Sequence, residues 1–326
     1  MRVLIIGAAG FAGRYLAREL LSRGHEVFGG TRSGGTDEAP GPRADGVPRP
    51  DDLPEIPLLR CDVTSGEQVE EGIDASRADV VALLAGLASP PAANLDPAEA
   101  FRVHAVGVAT LLDRVSRASR PIRALIVTSS EVYGAISPED LPITESVGLR
   151  PTTIYAASKA AADIAAAAFA ASRGCDVVRM RPFNHTGPGQ RRDFVCPDFA
   201  GQVAEIVRGR RDPVLEVGNL EVRRDFCDVR DVVRGYADAI ERGRAGEVYN
   251  LCSGRATAIR EILETLCSLA GVRPEVRPAP GRKRGGEMPA VWGSAARAKE
   301  DLGWEPGIEL RRTLEDVLSR AIEDLA

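Results

Sequence analysis

Two short stretches carry the side chains best suited to moving a proton. In IYAASKAAAD, residues 154–163, Tyr155 and Lys159 stand four apart, and on a helix such residues leave the same face one turn from each other. A lysine ammonium at that distance is expected to lower the phenol's pKa, which lets the tyrosine pass a proton to or from a carbonyl oxygen. The second stretch, IVTSSEVYG, residues 126–134, is an apolar run that opens into Ser129, Ser130 and Glu131. A carboxylate there either moves a proton or caps the turn that follows. The residue types leave both roles open.

Such side chains need elements that aim them. RVLIIG, HEVFGG, ADVVALLAG, RALIVTSS and CDVVRMRP read as short strands, and helical segments lie between them, the first from about Phe11 to Ser22. Strands alternating with helices imply right-handed crossovers and a parallel sheet buried on both faces, a doubly wound α/β fold of the Rossmann type. Between Ser33 and Pro57 the chain is rich in Pro, Gly and Asp, which predicts an exposed, mobile loop. From Pro182 onward longer irregular stretches are interrupted by helices such as PDFAGQVAEIVRGR and AIREILETLCSLAG. The expected division is a dinucleotide-binding domain over residues 1–181, with parts of 225–255 returning to it, and a smaller substrate-binding lobe over 182–326.

IIGAAGFAGRYLAREL places Gly7, Gly10 and Gly13, with Phe11 and Ala12 between them, where the first strand turns into the first helix. Glycines let the backbone turn sharply and approach a pyrophosphate, and the helix start offers free N–H groups and a positive dipole end. Where the second strand ends, an acidic residue would accept a ribose 2′-hydroxyl. EVFGGTRSG has Thr31 and Arg32 instead, a hydroxyl and a cation suited to a 2′-phosphate, so NADP(H) is favoured over NAD(H). Asp62 and Val63 in RCDVTS are placed to meet the adenine; the alternative is that Asp62 or Thr64 caps a helix. Leu84, Ala85, Gly86, Pro182 and His185 complete the expected cofactor wall, with Tyr155 and Lys159 at the nicotinamide ribose.

With these motifs in place, the whole chain resembles an extended short-chain dehydrogenase/reductase, the NAD-dependent epimerase/dehydratase family. That resemblance implies that Ser129, four residues before the tyrosine of VYG, completes a triad with Tyr155 and Lys159. RPFNHTGPGQRRDFV (181–195), GNLEVRRDFCDVRD (218–231), EVYNLCSG and RKRGGEMPAVWGS are, within the family, similar to GDP-4-keto-6-deoxy-D-mannose reductases. The implied reaction is hydride transfer from NADPH to the C4 ketone of a GDP-linked 6-deoxyhexulose, giving GDP-D-rhamnose. Tyr155 would protonate the new alkoxide and Ser129 would bond the ketone. Arg224 and Arg284 can grip a diphosphate with charge-assisted bonds, and Glu287 can accept from the nucleotide. Asn184 would bond sugar hydroxyls or phosphate. Ser130 and Glu131 would face the sugar, and Gln190, Phe194 and Val195 would form part of the pocket wall.

Sugar-nucleotide 4,6-dehydratases share this fold and carry Thr-Asp-Glu or Thr-Ser-Glu where this chain has Ser129, Ser130 and Glu131; their glutamate removes the C5 proton. SSE keeps that possible base, while NHTGPGQ replaces the dehydratase sequence Asn-His-Glu-Ser-Pro. A nucleotide-sugar epimerase is the third alternative. Two departures from the family bear on the site. His104 stands where an asparagine is usual and is expected to be a satisfied core histidine, and LLAGLASPPAAN departs from the usual Leu-Ala-Ala.

Composition narrows the partners. With 326 residues, 44% of them hydrophobic, the chain can bury a large core without staples, and its net charge of -5 offers no basic field for nucleic acid. Six cysteines are scattered and histidines number three, so no metal site is expected. The chain starts on a strand rather than a leader, and no apolar stretch reads as long enough to span a bilayer, which makes a cytoplasmic protein without a membrane partner the expectation. The alanine-rich segment YAASKAAADIAAAAFAAS can pack closely against another helix, and the resemblance implies a homodimer built there. A dinucleotide sensor without turnover is the reading from another class; the presence of both Tyr155 and Lys159 counts against it.

Overall fold

Val3, Leu4, Ile5 and Ile6 form one unbroken buried run, as a parallel strand covered on both faces requires. The structure, a computed structural model, describes residues 1–33, 53–279 and 288–326, so most of the Pro- and Gly-rich loop expected between Ser33 and Pro57 lies outside the described residues. In chain order the first half runs β1 (Arg2–Ile6), α1 (Phe11–Ser22), β2 (Glu26–Thr31), β3 (Leu58–Arg60), α2 (Gly66–Ser76), β4 (Val80–Leu83), α3 (Pro90–Leu95) and α4 (Pro97–Phe101). A π-helical turn (Arg102–Val106) leads into α5 (Gly107–Arg117), then β5 (Arg123–Val127), α6 (Ile154–Arg173) and β6 (Val177–Pro182). The second half holds β7 (Asn184–Thr186), α7 (Val195–Val207), β8 (Val214–Val217), β9 (Arg223–Arg224), β10 (Phe226–Asp228), α8 (Val229–Arg242) and β11 (Val248–Leu251). It closes with β12 (Thr257–Ala258), α9 (Ile259–Ala270), β13 (Glu275–Pro278), β14 (Ala290–Val291), α10 (Ala296–Leu302) and α11 (Leu310–Glu323).

Seven strands make one sheet in the order β11-β6-β5-β4-β1-β2-β3, and every neighbouring pair is parallel. The order reverses at β1, which has β2 on one side and β4 on the other, so a crevice opens above the carboxyl ends of β1 and β4. Leu16 and Leu20 of α1 and Val233 and Tyr236 of α8 bury one face of the sheet; Val69 of α2, Leu111 and Leu112 of α5, and Ala162 and Ala166 of α6 bury the other. A separate core joins α7, α9 and α11 through Phe199, Val203, Ile262, Leu266, Leu314 and Val317. The second half thus adds α8, β11 and α10, whose Ala298 and Leu302 join the sheet core, to the sheet domain, and builds a second lobe around α7, α9 and α11.

The bilayer argument needs a correction at α6. Its 20 residues are long and apolar enough to cross a membrane by length and composition. Here it packs on the sheet through Ala162 and Ala166, and its Lys159 and Asp163 are buried within the domain. Thr153 caps its start by accepting from the Ala156 amide at 3.1 Å, which fixes where the helix begins relative to Tyr155.

Candidate active site

The turn between β1 and α1 admits only glycine at its tightest points. Gly7 has φ +96, and a Cβ there would lie 2.6 Å from Ala85 N; at Gly13 it would lie 2.2 Å from Gly7 O. Gly10 forms the N-cap of α1 without a side-chain cap, and the first turn holds no acidic residue. Free N–H groups and the positive helix end therefore face outward, and this cradle fits the pyrophosphate of a dinucleotide. Phe11, at the helix start, stacks on His185 with ring centroids 6.2 Å apart, while Ala12 packs on the core. The amides of Leu84 and Ala85 both donate to Ile6 O at 2.9 Å, which holds the end of β4 against the glycine turn. Gly86 follows, exposed at the crevice.

Thr31 ends β2 opposite Arg60, and Arg32 beyond it is exposed. Asp62 turns its carboxylate onto the amide and hydroxyl of Thr64 at 2.9 and 2.8 Å. Ser65, rather than Asp62 or Thr64, caps α2 by accepting from the Gln68 amide. Val63 is buried in the core, so it presents backbone rather than side chain to a ligand.

The proton-transfer group assembles where β5 ends and α6 begins. Ser129 Oγ accepts the Glu131 amide at 3.2 Å and caps the short 3-10 turn Ser130–Tyr133; it also bonds the Tyr155 hydroxyl. Ser130 is half-buried within that turn. Glu131 is exposed, and its carboxylate has no hydrogen-bond or ion-pair partner among the described residues. Cap and carboxylate are thus separate functions: Ser129 caps, and Glu131 is left facing the site.

The Tyr155 phenol is pushed up to about 12, by burial first and by the nearby Glu131 charge second, with the Ser129 bond working the other way. The expectation that Lys159 lowers it does not hold in this structure. The Lys159 ammonium instead donates to Val127 O at 3.2 Å, and burial brings its own pKa down to about 8. Desolvation outweighs the helical neighbour because both groups sit inside the protein.

His104 is not a satisfied core histidine. Its ring is 2% exposed; Nδ1 lies 2.8 Å from Ser158 Oγ, but Nε2 is buried without a hydrogen-bond partner. Burial first, and the Lys159 ammonium second, bring its pKa down to about 3 against a weaker pull from the Leu87 backbone, so the ring is neutral.

Two residues of the framework carry no clear signal in the sequence. Asp163, one turn beyond Lys159, takes Arg181 Nε and Nη2 at 2.8 Å each and Arg179 Nη1 at 2.9 Å. Its only signal in sequence was the four-residue step from Lys159 on the same helix. Asp225, wholly buried, accepts the Ser253 amide and hydroxyl at 2.7 and 2.6 Å and the amides of Gly254 and Gly293 at 2.9 and 3.3 Å. A carboxylate beside Arg224 in RRDF marked it only as one more charge.

Of the residues assigned to substrate, Asn184 donates to Asp225 O at 3.2 Å and Gln190 to His185 O at 3.0 Å. The loop between them is latched to the cofactor helix by Arg14 Nη2 to Gly189 O at 3.3 Å and Tyr15 Oη to Pro188 O at 2.8 Å. His185 Nδ1 lies 3.1 Å from Phe183 O, and Pro182 ends β6 beside Leu251. These residues share the crevice side with the glycine turn. Phe194 forms the N-cap of α7 and Val195 opens it against the second core. Arg224 lies in β9 between β12 and β14 and donates to Met288 O at 2.9 Å. Arg284 and Glu287 lie outside the described residues. Among the described residues no group of three or more His, Cys, Asp or Glu side chains is arranged to hold a metal ion.

Residues 4–317 match the GDP-mannose 4,6 dehydratase family. The chain is 38% identical to GDP-6-deoxy-D-mannose reductase of Pseudomonas aeruginosa over 241 residues, 74% of this chain and 79% of that one. The structure of RMD from Pseudomonas aeruginosa complexed with NADPH superposes with a TM-score of 0.83 at 32% identity, over 99% of this chain and all of the other. UDP-glucose 4-epimerase of Thermus thermophilus in complex with NAD gives a TM-score of 0.83 at 28% identity, covering 98% of this chain and 99% of that one.

Proposed function

The chain belongs to the GDP-mannose 4,6-dehydratase family, and from that premise we propose that it reduces the C4 ketone of GDP-4-keto-6-deoxymannose to give GDP-D-rhamnose, with NADPH as reductant. The observation that carries this reading is the Tyr155 hydroxyl, pushed up to about 12 and bonded to Ser129. At neutral pH it holds a proton to give, as ketone reduction demands. When bound, NADPH supplies the hydride; the glycine turn and the open end of α1 hold its pyrophosphate.

Ser129 Oγ accepts the Glu131 amide and bonds the Tyr155 hydroxyl, which brings both hydroxyls to the place where the ketone oxygen is reduced. Tyr155 then passes its proton to that oxygen as negative charge develops there. Lys159 uses one of its three N–H bonds on Val127 O and has donors left for ribose hydroxyls. Asn184 and Arg224 bind the sugar and diphosphate. The NADP preference rests on Thr31 and Arg32 at the end of β2, a hydroxyl and a cation suited to a 2′-phosphate, and on the NADPH complex of the similar Pseudomonas protein.

One observation favours a second reading. The Glu131 carboxylate is exposed, without a partner among the described residues, and close enough to Tyr155 to raise its pKa. A base in that place suits a 4,6-dehydratase. The deciding experiment gives the purified protein GDP-4-keto-6-deoxymannose with NADPH or NADH, and separately GDP-mannose with NADP. Oxidation of NADPH in preference to NADH with a two-hydrogen mass gain, abolished by Tyr155→Phe, is the expected result. Loss of water from GDP-mannose with no net cofactor change overturns it in favour of the dehydratase.

The assembly proposed is a homodimer through α6. Ile164 is 60% exposed there, and Phe101 and Val106, on elements packed beside α6, are 40% and 53% exposed. A monomer by light scattering at micromolar concentration would overturn this.

A further inference from the structure

One buried side chain beside the site has no task in the reaction as described. His104 lies in the π-helical turn Arg102–Val106, a form of helix that recurs at functional positions. Its Nδ1 is 2.8 Å from Ser158 Oγ, and that hydroxyl donates to Tyr155 O at 2.9 Å. Through that serine the ring is tied to the backbone of the catalytic helix at Tyr155. On the other side the ring lies directly on Gly86. A Cβ there would be 2.6 Å from Nε2 and 2.8 Å from Cδ2, and 3.5 Å from Lys159 Nζ. The ring edge also meets Tyr155, with centroids 5.8 Å apart at 87°. One imidazole therefore touches the backbone after β4 and the first turn of the catalytic helix together.

We infer that His104 is a positioning residue, a spacer that sets the distance between the Leu84–Gly86 turn and the helix bearing Tyr155 and Lys159, with Gly86 as its steric counterpart. The inference rests on the proposed cofactor and proton-transfer roles of those two segments. Gly86 is glycine because the imidazole occupies the place of its side chain: a methyl group there drives the ring toward Lys159 and Tyr155. A shorter side chain at position 104 leaves the helix without its spacer. Reacting groups displaced by about an ångström lose up to about 100-fold in rate.

The test compares wild type, Gly86→Ala, His104→Asn and the double variant. Asparagine keeps a hydrogen-bonding group toward Ser158 and vacates the space that the alanine methyl fills. Four readouts are taken: kcat and KM with NADPH and GDP-4-keto-6-deoxymannose, NADPH affinity from nicotinamide fluorescence without sugar, and the melting temperature. Each single variant is expected to lose about 100-fold in kcat with the sugar KM little changed, and to bind NADPH more weakly. The double variant is expected to recover to within about 2-fold of wild type. Losses that multiply in the double variant, or His104→Asn turning over at the wild-type rate, overturn the inference. If the wild-type protein does not reduce this sugar, the substrate assignment fails, and NADPH affinity across the four proteins still decides the His104–Gly86 pair by the same rule. If Gly86→Ala does not fold, a double variant that folds and binds NADPH like wild type supports the pair, and one that stays unfolded overturns it.

Discussion

Replacing Asp163 with alanine should cost the protein a large part of its stability, although Asp163 touches neither proposed ligand. The carboxylate is 1% exposed and sits between Arg181 and Arg179, themselves 5% and 12% exposed. It receives three guanidinium bonds of 2.8, 2.8 and 2.9 Å and a fourth from Thr128 Oγ1 at 3.2 Å. Burial decides the magnitude. On a surface such a pair contributes roughly 0–1 kcal/mol, whereas removing one partner of a buried pair strands the other charge and costs about 3–5 kcal/mol. Against a total stability of roughly 5–15 kcal/mol, that is a severe loss. Arg181 also donates to Tyr133 Oη at 3.0 Å, which in turn donates to Asn250 Oδ1 at 2.7 Å, so the disturbance reaches β11.

The pH dependence gives an independent check. Burial alone would raise the Asp163 pKa, but the Arg181 bond and charge, followed by those of Arg179, bring it below the usual carboxylate range. A depressed pKa contributes stability that is fully present above the unfolded value, about 3.9, and is lost as pH falls through the folded value. Urea unfolding followed by circular dichroism at pH 7 and across pH 3–5 measures both effects. Asp163→Ala should lower the pH 7 stability by about 3–5 kcal/mol and flatten the acid limb. A loss under about 1 kcal/mol at pH 7 would mean that water reaches the guanidiniums, and would refute the burial argument.

Two further outcomes follow from the cofactor side of the site. Gly13→Ala places a methyl 2.2 Å from Gly7 O and 2.8 Å from Ala8 O, backbone atoms that cannot step aside, so the turn must open; NADPH should no longer titrate nicotinamide fluorescence at concentrations that saturate wild type, and an unchanged Kd would refute the cradle. Lys159, with its pKa brought down to about 8, loses its charge as pH rises, so kcat/KM for NADPH should fall through about pH 8. Lys159→Arg, charged throughout, should remove that basic limb, and a limb that persists would assign it to another group.

The parts of this site readable in the sequence are those whose geometry closes within one turn. Gly7, Gly10 and Gly13 serve one backbone bend, and Tyr155 and Lys159 share one helix face, so spacing alone placed them; the first helix likewise runs Phe11–Ser22. The framework behind them depends on partners chosen by packing. Asp163 meets Thr128, Arg179 and Arg181 on neighbouring strands, Asp225 gathers Ser253, Gly254 and Gly293, and His104 finds Ser158 across the crevice wall. No local rule selects one such partner among the chain's 42 lysines and arginines. The sign of the Tyr155 shift is hidden from the sequence for the same reason: the sequence places Lys159 near it, but burial, a property of the finished fold, sets the larger effect.

Glu131 brings both kinds of information together. Spacing put a carboxylate where a strand opens, and packing decided what it is free to do. Ser129 takes the capping role by accepting the Glu131 amide, which leaves the carboxylate unpaired among the described residues and close enough to oppose ionisation of Tyr155. A negative charge beside a phenol stabilises its protonated form, and the protonated form is the donor that ketone reduction uses. A glutamate that serves as base in a dehydratase can therefore serve a reductase without moving, as the charge that keeps Tyr155 loaded. The two readings differ in what the Glu131 carboxylate is for: Glu131→Gln should lower the tyrosine's pKa in either enzyme, but in the reductase it should leave turnover in place and shift the basic limb of ketone reduction to lower pH, whereas in the dehydratase it should abolish loss of water.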